Sequence, residues 1–176
     1  MDWLSITITA VTRADAEDLL QFEVQNRAYF EPQINARNSD YYSLQGVAEA
    51  IEAAIDDAFD DKGYQYLLRS PSGHLVGRVN LRAVQRAHYH SAVLGYRIAQ
   101  HETGKGYATE AVRLVLDLAF GRLNLKRIEA DARSDNAASL AVLRRNGFVQ
   151  YGHSRKSFEL NGEWFDRYHF ERHALG

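Results

Sequence analysis

Two apolar runs of different period flank the stretch His101-Glu102-Thr103-Gly104-Lys105-Gly106-Tyr107-Ala108-Thr109-Glu110-Ala111. The run before it, residues 92–99, is short and mostly apolar, which is typical of a strand. After it, apolar residues recur at the spacing of one buried helical face: Ala108, Ala111, Val112, Val115, Leu116, Ala119 and Leu123. The sequence therefore predicts a strand, a glycine turn and the start of a helix.

The glycines of this turn favour a site for an anion. Gly104 and Gly106 can adopt a positive φ and carry no side chain that would block a ligand. The first amides of the following helix have no internal partners, and the helix dipole adds positive potential there. Lys105 adds a formal charge. The pattern predicts a phosphate site, with an ordinary turn as the alternative.

Two common phosphate motifs are excluded by single positions. A dinucleotide fingerprint would need a third glycine where the chain has Thr109. A Walker loop would need serine or threonine after its lysine, whereas Gly106 follows Lys105. A phosphate site at this turn would therefore belong to another class.

Length and composition predict one globular domain spanning residues 1–176. The 176 residues are 45% apolar and 25% charged, and the net charge of -2 gives no basic field for nucleic acid. Without cysteine, the chain has no disulfide, thiolate nucleophile or cysteine-ligated metal. Residues 1–5 lack the features of a signal peptide, and no apolar run is long enough to span a membrane. We expect a cytoplasmic protein without membrane or nucleic-acid partners.

Hydrophobic periodicity and turn residues divide the rest of the chain. Strands are predicted at 6–11, 64–69, 75–83, 92–99, 127–132, 148–160 and 163–173, the last two joined by a hairpin at Asn161-Gly162. A first helix runs to about Phe30, is stopped by Pro32, and buries Leu19, Leu20, Phe22, Val24 and Ala28. A second, 44–59, buries Val47, Ile51, Ala54, Ile55 and Phe59 and exposes an acidic side. The last helix follows Ser134-Asp135-Asn136, buries Leu140, Val142 and Leu143, and ends at Gly147.

The order of these elements is not a clean alternation of strands and helices, because hairpins join several strands. No internal repeat or linker divides the chain. We therefore predict an α+β fold in which a mixed, mostly antiparallel sheet of about seven strands carries helices on both faces.

Three segments in this order give the chain a family resemblance. Gly104-Lys105-Gly106-Tyr107-Ala108-Thr109-Glu110-Ala111 resembles the coenzyme A pyrophosphate loop of GNAT N-acetyltransferases. Asn136-Ala137-Ala138-Ser139-Leu140-Ala141-Val142-Leu143-Arg144-Arg145-Asn146-Gly147-Phe148 is similar to that superfamily's second motif, Asn-x-x-Ser before a helix ending in Gly-Phe. The hairpin from Phe158 to Asp166 is similar to that of the branch containing bacterial ribosomal-protein N-terminal acetyltransferases, the Rim type.

The resemblance implies where a co-substrate would bind. The strand before the glycine turn would splay from the next strand, and acetyl-CoA would lie in the opening. Its pantetheine would pair with backbone at Tyr96, Arg97 and Ile98, and Asn136 and Ser139 would complete the site. Its pyrophosphate would lie on the loop that contains His101, Thr103, Gly104, Lys105, Gly106, Tyr107, Ala108 and Thr109. A homodimer is implied by the resemblance alone.

The expected reaction is direct attack of a primary amine on the acetyl thioester. It needs a neutral amine, help for a developing oxyanion, and a proton for the leaving thiolate. Backbone amides near Ile98 would polarise the acetyl carbonyl. By resemblance, Ser139 would protonate the sulfur and Asn136 would contact pantetheine or donate near the thioester. The alternatives are a surface serine bonded to its own helix and a simple N-cap.

Two departures from the family pattern bear on the site, one on the phosphate contact and one on the catalytic base. His101 stands where the family often has Gln or Arg, and Tyr151-Gly152 stands where Rim-type chains often have Glu-Gly, which removes a carboxylate. Because an α-amine has a pKa of about 7.7–8.0 and lysine about 10.4, the lack of an obvious base favours an α-amine or a proton relayed by water. The resemblance to the Rim type implies that the α-amine is that of a protein N-terminus, such as that of a ribosomal protein. Glu159 and Asp166 are weaker candidate bases.

Two other functions stay open at the level of sequence. The acidic run 56–61 suits attraction of a small cationic amine, so a polyamine, aminoglycoside or amino acid is an alternative acceptor. The missing carboxylate also fits a non-catalytic acyl-CoA-binding module. His88 and His90 would share a strand face, but no third ligand has suitable spacing, so no metal is predicted.

Overall fold

The computed structural model describes residues 5–34 and 36–175 of the chain. Its strands are β1 (Thr7–Ala10), β2 (Tyr64–Arg69), β3 (Leu75–Gln85), β4 (Ser91–Ile98), β5 (Arg127–Arg133), β6 (Val149–Leu160) and β7 (Glu163–His173). Its α-helices are α1 (Ala16–Phe30), α2 (Leu44–Phe59), α3 (Tyr107–Phe120) and α4 (Ala137–Arg145). Every predicted strand and helix is present, with bounds that differ by a few residues at most. The predictions for residues 1–4 lie outside the described residues.

The strands form one mixed sheet in the order β1-β2-β3-β4-β5-β7-β6. All neighbouring strands are antiparallel except β4 and β5, which are parallel. The hairpin turn predicted at Asn161-Gly162 joins β6 to β7, and both residues have positive φ, as a tight hairpin turn requires. The predicted α+β fold with about seven strands is confirmed.

Helices cover both faces of this sheet. α1 and α2 pack on one face over a core that includes Leu19, Phe22, Val47, Ile51 and Leu67. α3 and α4 pack on the other face over a core that includes Val112, Val115, Leu125, Ile128 and Leu143. Within the two described segments, every helix is too short or too polar to cross a bilayer.

β4 and β5 pair only where they begin. Their register joins Ser91 to Arg127, Ala92 to Ile128 and Val93 to Glu129, and no later pair is formed within the described sheet. The two strands therefore diverge toward their C-terminal ends. We call the resulting opening, between residues 94–98 and 130–133, the gap. It confirms the splay that the family resemblance implies.

The buried face of α1 differs from the prediction. Val24 is 51% exposed and Ala28 is also exposed, so their predicted burial is wrong. Glu23 and Asn26 occupy buried positions instead. Because successive helical residues are about 100° apart, a face that contains Glu23 turns Val24 toward solvent. The polar pair is tolerated because both side chains have hydrogen-bond partners, described below.

Two further predictions are wrong for reasons of position. Phe59 is 91% exposed, because it is the last residue of α2 and the chain turns away after it. His88 and His90 do not share a strand face, because they lie in the turn between β3 and β4 with φ of 69° and 46°. Among the described residues, no three potential ligands cluster as a metal site would require.

Candidate functional site

The β4 side of the gap presents free backbone groups. The Ala99 N–H donates to the Val76 carbonyl at 2.9 Å, so the backbone of Ala99 faces β3. Since successive residues of a strand turn their N–H and C=O groups to opposite sides, the backbone of Arg97 also faces β3. The backbones of Tyr96 and Ile98 face the gap. Of the three residues predicted to pair with pantetheine, these two are placed for it.

The glycine turn leaves its ligand-facing side open. Gly104 and Gly106 have φ of 77° and 82°, which is the left-handed region that favours glycine. A Cβ added at Gly104 would meet nothing within 4 Å, so no side chain or backbone fills the space beside it. Gly106 is the N-cap of α3 and brings no capping side chain to the first amides of the helix. These features fit a diphosphate such as that of coenzyme A.

Glu102 lies beside both basic side chains of this loop. Lys105 Nζ donates to Glu102 Oε2 at 2.6 Å, and this hydrogen bond raises the pKa of Lys105. His101, whose side chain is 70% exposed, has Nε2 3.5 Å from the other Glu102 oxygen. The Thr103 hydroxyl donates to the Gln100 carbonyl at 2.8 Å. Because Glu102 offsets the charge of Lys105, the backbone amides are the less neutralised source of positive potential at this loop.

The other residues predicted on this loop have structural contacts. Tyr107 packs against the apolar core beneath α3. The Thr109 carbonyl accepts a hydrogen bond from Asn146 Nδ2 at 3.1 Å, which joins the first turn of α3 to the end of α4. Ala108 follows Tyr107 in that same turn and is half-buried. The start of α3 is therefore held in place from two sides.

A buried amide of α1 fixes the entrance to the loop. Asn26 is 2% exposed, donates from Nδ2 to the Phe22 carbonyl at 2.8 Å and accepts from the Gln100 N–H at 2.9 Å. Asn26 thereby ties α1 to the residues that follow β4. This role was not predicted from the sequence, although an asparagine within an apolar helical period is a signal of such a role.

α4 brings a serine to the opposite side of the gap. Asn136 is the N-cap of α4, and its Oδ1 accepts from the Ser139 N–H at 3.1 Å. Ser139 Oγ lies 2.7 Å from the hydroxyl of Tyr96, so a hydrogen bond joins α4 to β4. Burial raises the pKa of Tyr96, and the bond to Ser139 opposes this. The Tyr96 hydroxyl, which the sequence analysis did not identify, is therefore protonated at neutral pH.

A cluster of charges lies on the α1 side of the sheet beside the gap. We call it the arginine cluster: Arg37, Arg78 and Arg97 around Glu23. Glu23 is buried and accepts a hydrogen bond from Arg78. Arg97 Nη1 and Arg37 Nη2 lie 3.5 Å and 3.8 Å from its oxygens. Burial lowers the pKa of Arg97, Glu23 opposes this, and the two other arginines add to it.

The carboxylates named as weaker candidate bases are bound within the β6–β7 hairpin. Glu159 accepts a hydrogen bond from the Gly162 N–H. Asp166 accepts from the Lys156 N–H and faces His153 Nε2, each at 2.8 Å, and these bonds lower its pKa. A carboxylate with a lowered pKa is a weaker proton acceptor.

The acidic run lies away from the open end of the gap. The Lys62 carbonyl accepts from the Val84 N–H at 3.0 Å, which places this run beside the end of β3, near where β4 begins. Asp61 forms hydrogen bonds with Arg86, and Asp60 with Lys62. The run is thus partly neutralised and stands near the paired ends of β4 and β5.

A groove adjoins the open end of the gap. β5 forms its last pair at Arg133, whereas β6 and β7 stay paired to Leu160 and Glu163, so their hairpin extends past β5. A space of about 540 Å³ separates the hairpin from the loop after α1. It is lined by two acidic residues and five others: Glu31, Glu159, Pro32, Ile34, Ala36, Leu160 and Asn161.

Comparison with known proteins agrees with this geometry. The family model described as acetyltransferase (GNAT) domain matches residues 5–149. A probable N-acetyltransferase of Bacillus subtilis, YjcK, is 35% identical over 92% of this chain and 90% of its own length. The ribosomal protein uS5-alanine N-acetyltransferase of Escherichia coli is 24% identical over 92% of this chain and 84% of its own. A spermidine N(1)-acetyltransferase of Vibrio cholerae is 29% identical over 72% of this chain and 70% of its own.

The fold has a close structural match. The crystal structure of the ribosomal-protein-S5-alanine acetyltransferase from Vibrio fischeri superimposes with a TM-score of 0.92. The match covers 98% of this chain and 95% of the other, at 22% identity. At this identity the match shows a shared fold.

Proposed function

Because the chain belongs to the GNAT acetyltransferase family and is an acetyl-CoA-dependent N-acetyltransferase, we propose that its acceptor is the α-amine of a protein N-terminus, such as that of a ribosomal protein. The observation that carries the proposal is the groove between the loop after α1 and the hairpin that extends past the end of β5, where the gap is open. An extended peptide end fits such a groove. Similarity to the uS5-alanine enzyme supports the same acceptor.

Different residues around the gap contribute to different steps of the reaction. Bound acetyl-CoA supplies the activated acetyl thioester. The glycine turn at Gly104 and Gly106 holds the diphosphate, and the backbone groups of Tyr96 and Ile98 pair with the pantetheine and polarise the acetyl carbonyl. Ser139 Oγ holds the proton that the leaving sulfur needs, and the Tyr96 hydroxyl 2.7 Å away orients it.

The acceptor amine has to arrive neutral. An α-amine with a pKa of about 7.7–8.0 is in part neutral near pH 7, so it needs less help from a base than lysine does. In this chain Tyr151 stands beside Gly152, and its hydroxyl donates to Glu129 at 2.9 Å. Glu159 and Asp166 are bound within the hairpin. These contacts favour an acceptor that loses its proton readily.

An acceptor panel tests the proposal. Purified protein with acetyl-CoA is given peptides with a free N-terminus, the same peptides blocked at the N-terminus but carrying a lysine, and spermidine. Thiol release gives the rate, and mass spectrometry locates the acetyl group. We expect α-amine acetylation of the free peptides. Turnover confined to lysine or spermidine would contradict it, and no turnover on any acceptor, with stabilisation by coenzyme A retained, would favour the binding module.

A further inference from the structure

The arginine cluster carries more positive than negative charge. Three guanidiniums surround one carboxylate, that of Glu23, which is 2% exposed on its side chain. Arginine stays protonated in proteins, so Arg37, Arg78 and Arg97 each keep a full charge. Two positive charges are therefore left without a carboxylate inside the cluster. A partly buried excess of charge is costly unless an anion compensates it.

The three arginines differ in how many hydrogen bonds their guanidiniums donate. Arg78 donates to Glu23, to Gln65 Oε1 at 2.7 Å and to the Tyr41 hydroxyl at 3.3 Å. Arg37 and Arg97 donate no hydrogen bond within residues 5–34 and 36–175. Their side chains are 27% and 25% exposed, so solvent or a ligand reaches them.

Aromatic rings hold these two guanidiniums in place. The Arg37 guanidinium lies 4.1 Å from the ring centre of Tyr41, and that of Arg97 lies 5.1 Å from the ring centre of Phe30. Such stacking limits the motion of the planar guanidinium and leaves its edge free to donate. Both groups are thus prepared for a planar anion, and a carboxylate or phosphate matches their geometry.

The two guanidiniums also belong to residues close to the gap and to the groove. Arg97 lies in β4 between Tyr96 and Ile98, the two residues whose backbones face the gap. Arg37 directly follows Ala36, which lines the groove. The two guanidiniums thus belong to residues adjacent in sequence to one that lines the groove and to two that face the gap.

Resting on the proposed function, we infer that the acceptor carries a carboxylate close to the amine that is acetylated, and that Arg37 and Arg97 bind it. The carboxylate is that of an acidic side chain near a protein N-terminus. A free amino acid offers the same chemistry through its own carboxylate, and a preference for it would replace the proposed acceptor. The same guanidiniums repel the second ammonium group of a polyamine, so spermidine is a poor acceptor.

Matched acceptors separate the two sources of the carboxylate. One series consists of tetrapeptide amides with a single Glu at the first, second or third position, each paired with the Gln peptide. A second pair is alanine and alaninamide. We expect kcat/KM for one Glu peptide, or for alanine, to exceed that of its neutral partner by about tenfold or more, since charge-assisted hydrogen bonds are the stronger ones. The pair that responds identifies the source.

Variants then assign the preference to the cluster. Arg37→Gln and Arg97→Gln should each lower the charged-to-neutral ratio of kcat/KM toward one. Arg13→Gln is the matched control, because Arg13 pairs with Glu52 on the same side of the sheet and is 74% exposed. It should leave the ratio unchanged. A preference that survives in both cluster variants would overturn the assignment.

A binding measurement separates failure of this inference from failure of the proposed function. Calorimetry with coenzyme A present compares the N-acetylated Glu peptides, and N-acetylalanine, with their neutral partners. Equal turnover and equal binding of charged and neutral partners would overturn the inference and leave the proposed function standing. Tighter binding of a charged partner without turnover on any free peptide would overturn the proposed function and support the inference. Neither turnover nor a binding preference would overturn both.

Discussion

Replacement of Glu23 by glutamine should cost the protein a large part of its stability. The Glu23 side chain is 2% exposed and faces Arg78, which is 12% exposed, with Arg37 and Arg97 beside it. Glutamine keeps the size of the side chain and removes the one negative charge of the cluster. Breaking a buried ion pair from one side costs about 3–5 kcal/mol, because the partner charge stays buried. With an m-value of about 2–3 kcal/mol/M, the urea midpoint should fall by about 1–2.5 M.

Glu52→Gln is the control for this experiment. Glu52 pairs with Arg13 on the surface, where the two side chains are 46% and 74% exposed, so its loss should cost no more than about 0.5 kcal/mol. Both variants are unfolded in urea and followed by circular dichroism at neutral pH. If Glu23→Gln shifts the midpoint no further than the control, the buried carboxylate does not hold the cluster together and the reasoning fails.

Three other changes test the site and the charge network. Ser139→Ala should lower kcat by about 100-fold or more, while stabilisation by coenzyme A in a thermal melt stays, because the serine supplies a proton and not the main binding contacts; an unchanged kcat would reassign the proton. Gly104→Ala and Gly73→Ala should each cost about 1 kcal/mol, since both have positive φ and open space. Only Gly104→Ala should weaken stabilisation by coenzyme A, and equal stabilisation in both would place the diphosphate elsewhere. The Arg86 hydrogen bond lowers the pKa of Asp61 to about 2, so this carboxylate stabilises the fold above its unfolded pKa of about 3.9, and that contribution is lost as the pH falls through about 2. Between about pH 5 and pH 2, the free energy of unfolding of Arg86→Gln should therefore fall less than that of the unchanged chain. Urea titrations at each pH measure this fall, and an equal fall in both proteins would contradict the pairing.

Local signals were sufficient to predict most of the fold. The turn at Asn161-Gly162, the N-cap Asn136 and the glycine Gly147 mark ends of elements where the structure has them. Such residues act on their own backbone, so their effect is readable without knowledge of what lies nearby. The wrong prediction for Phe59 concerns a property that depends on distant parts of the chain. Its helical period is right, but its exposure depends on where the sheet ends beneath α2.

From local chemistry alone, the site was predictable where it is built from backbone, whereas Ser139 and Asn136 were named through the family resemblance. Gly104 and Gly106 reveal an open turn through their own conformational freedom. The hydrogen bond between Tyr96 and Ser139 joins residues 43 positions apart, and nothing local in either segment indicates it. The arginine cluster is likewise drawn from α1, a loop and two strands. These long-range contacts needed the sheet order, and hence the structure.

The two polar residues of α1 show why fold and site cannot be read separately in this chain. Asn26 holds Gln100, just after β4, and Glu23 lies 3.5 Å from the guanidinium of Arg97, within β4. They are three residues apart on one helical face, so α1 contacts both the entrance of the glycine turn and the acceptor side of the gap. By carrying polar groups there, the helix positions two residues on the β4 side of the gap, Arg97 within the strand and Gln100 just after it.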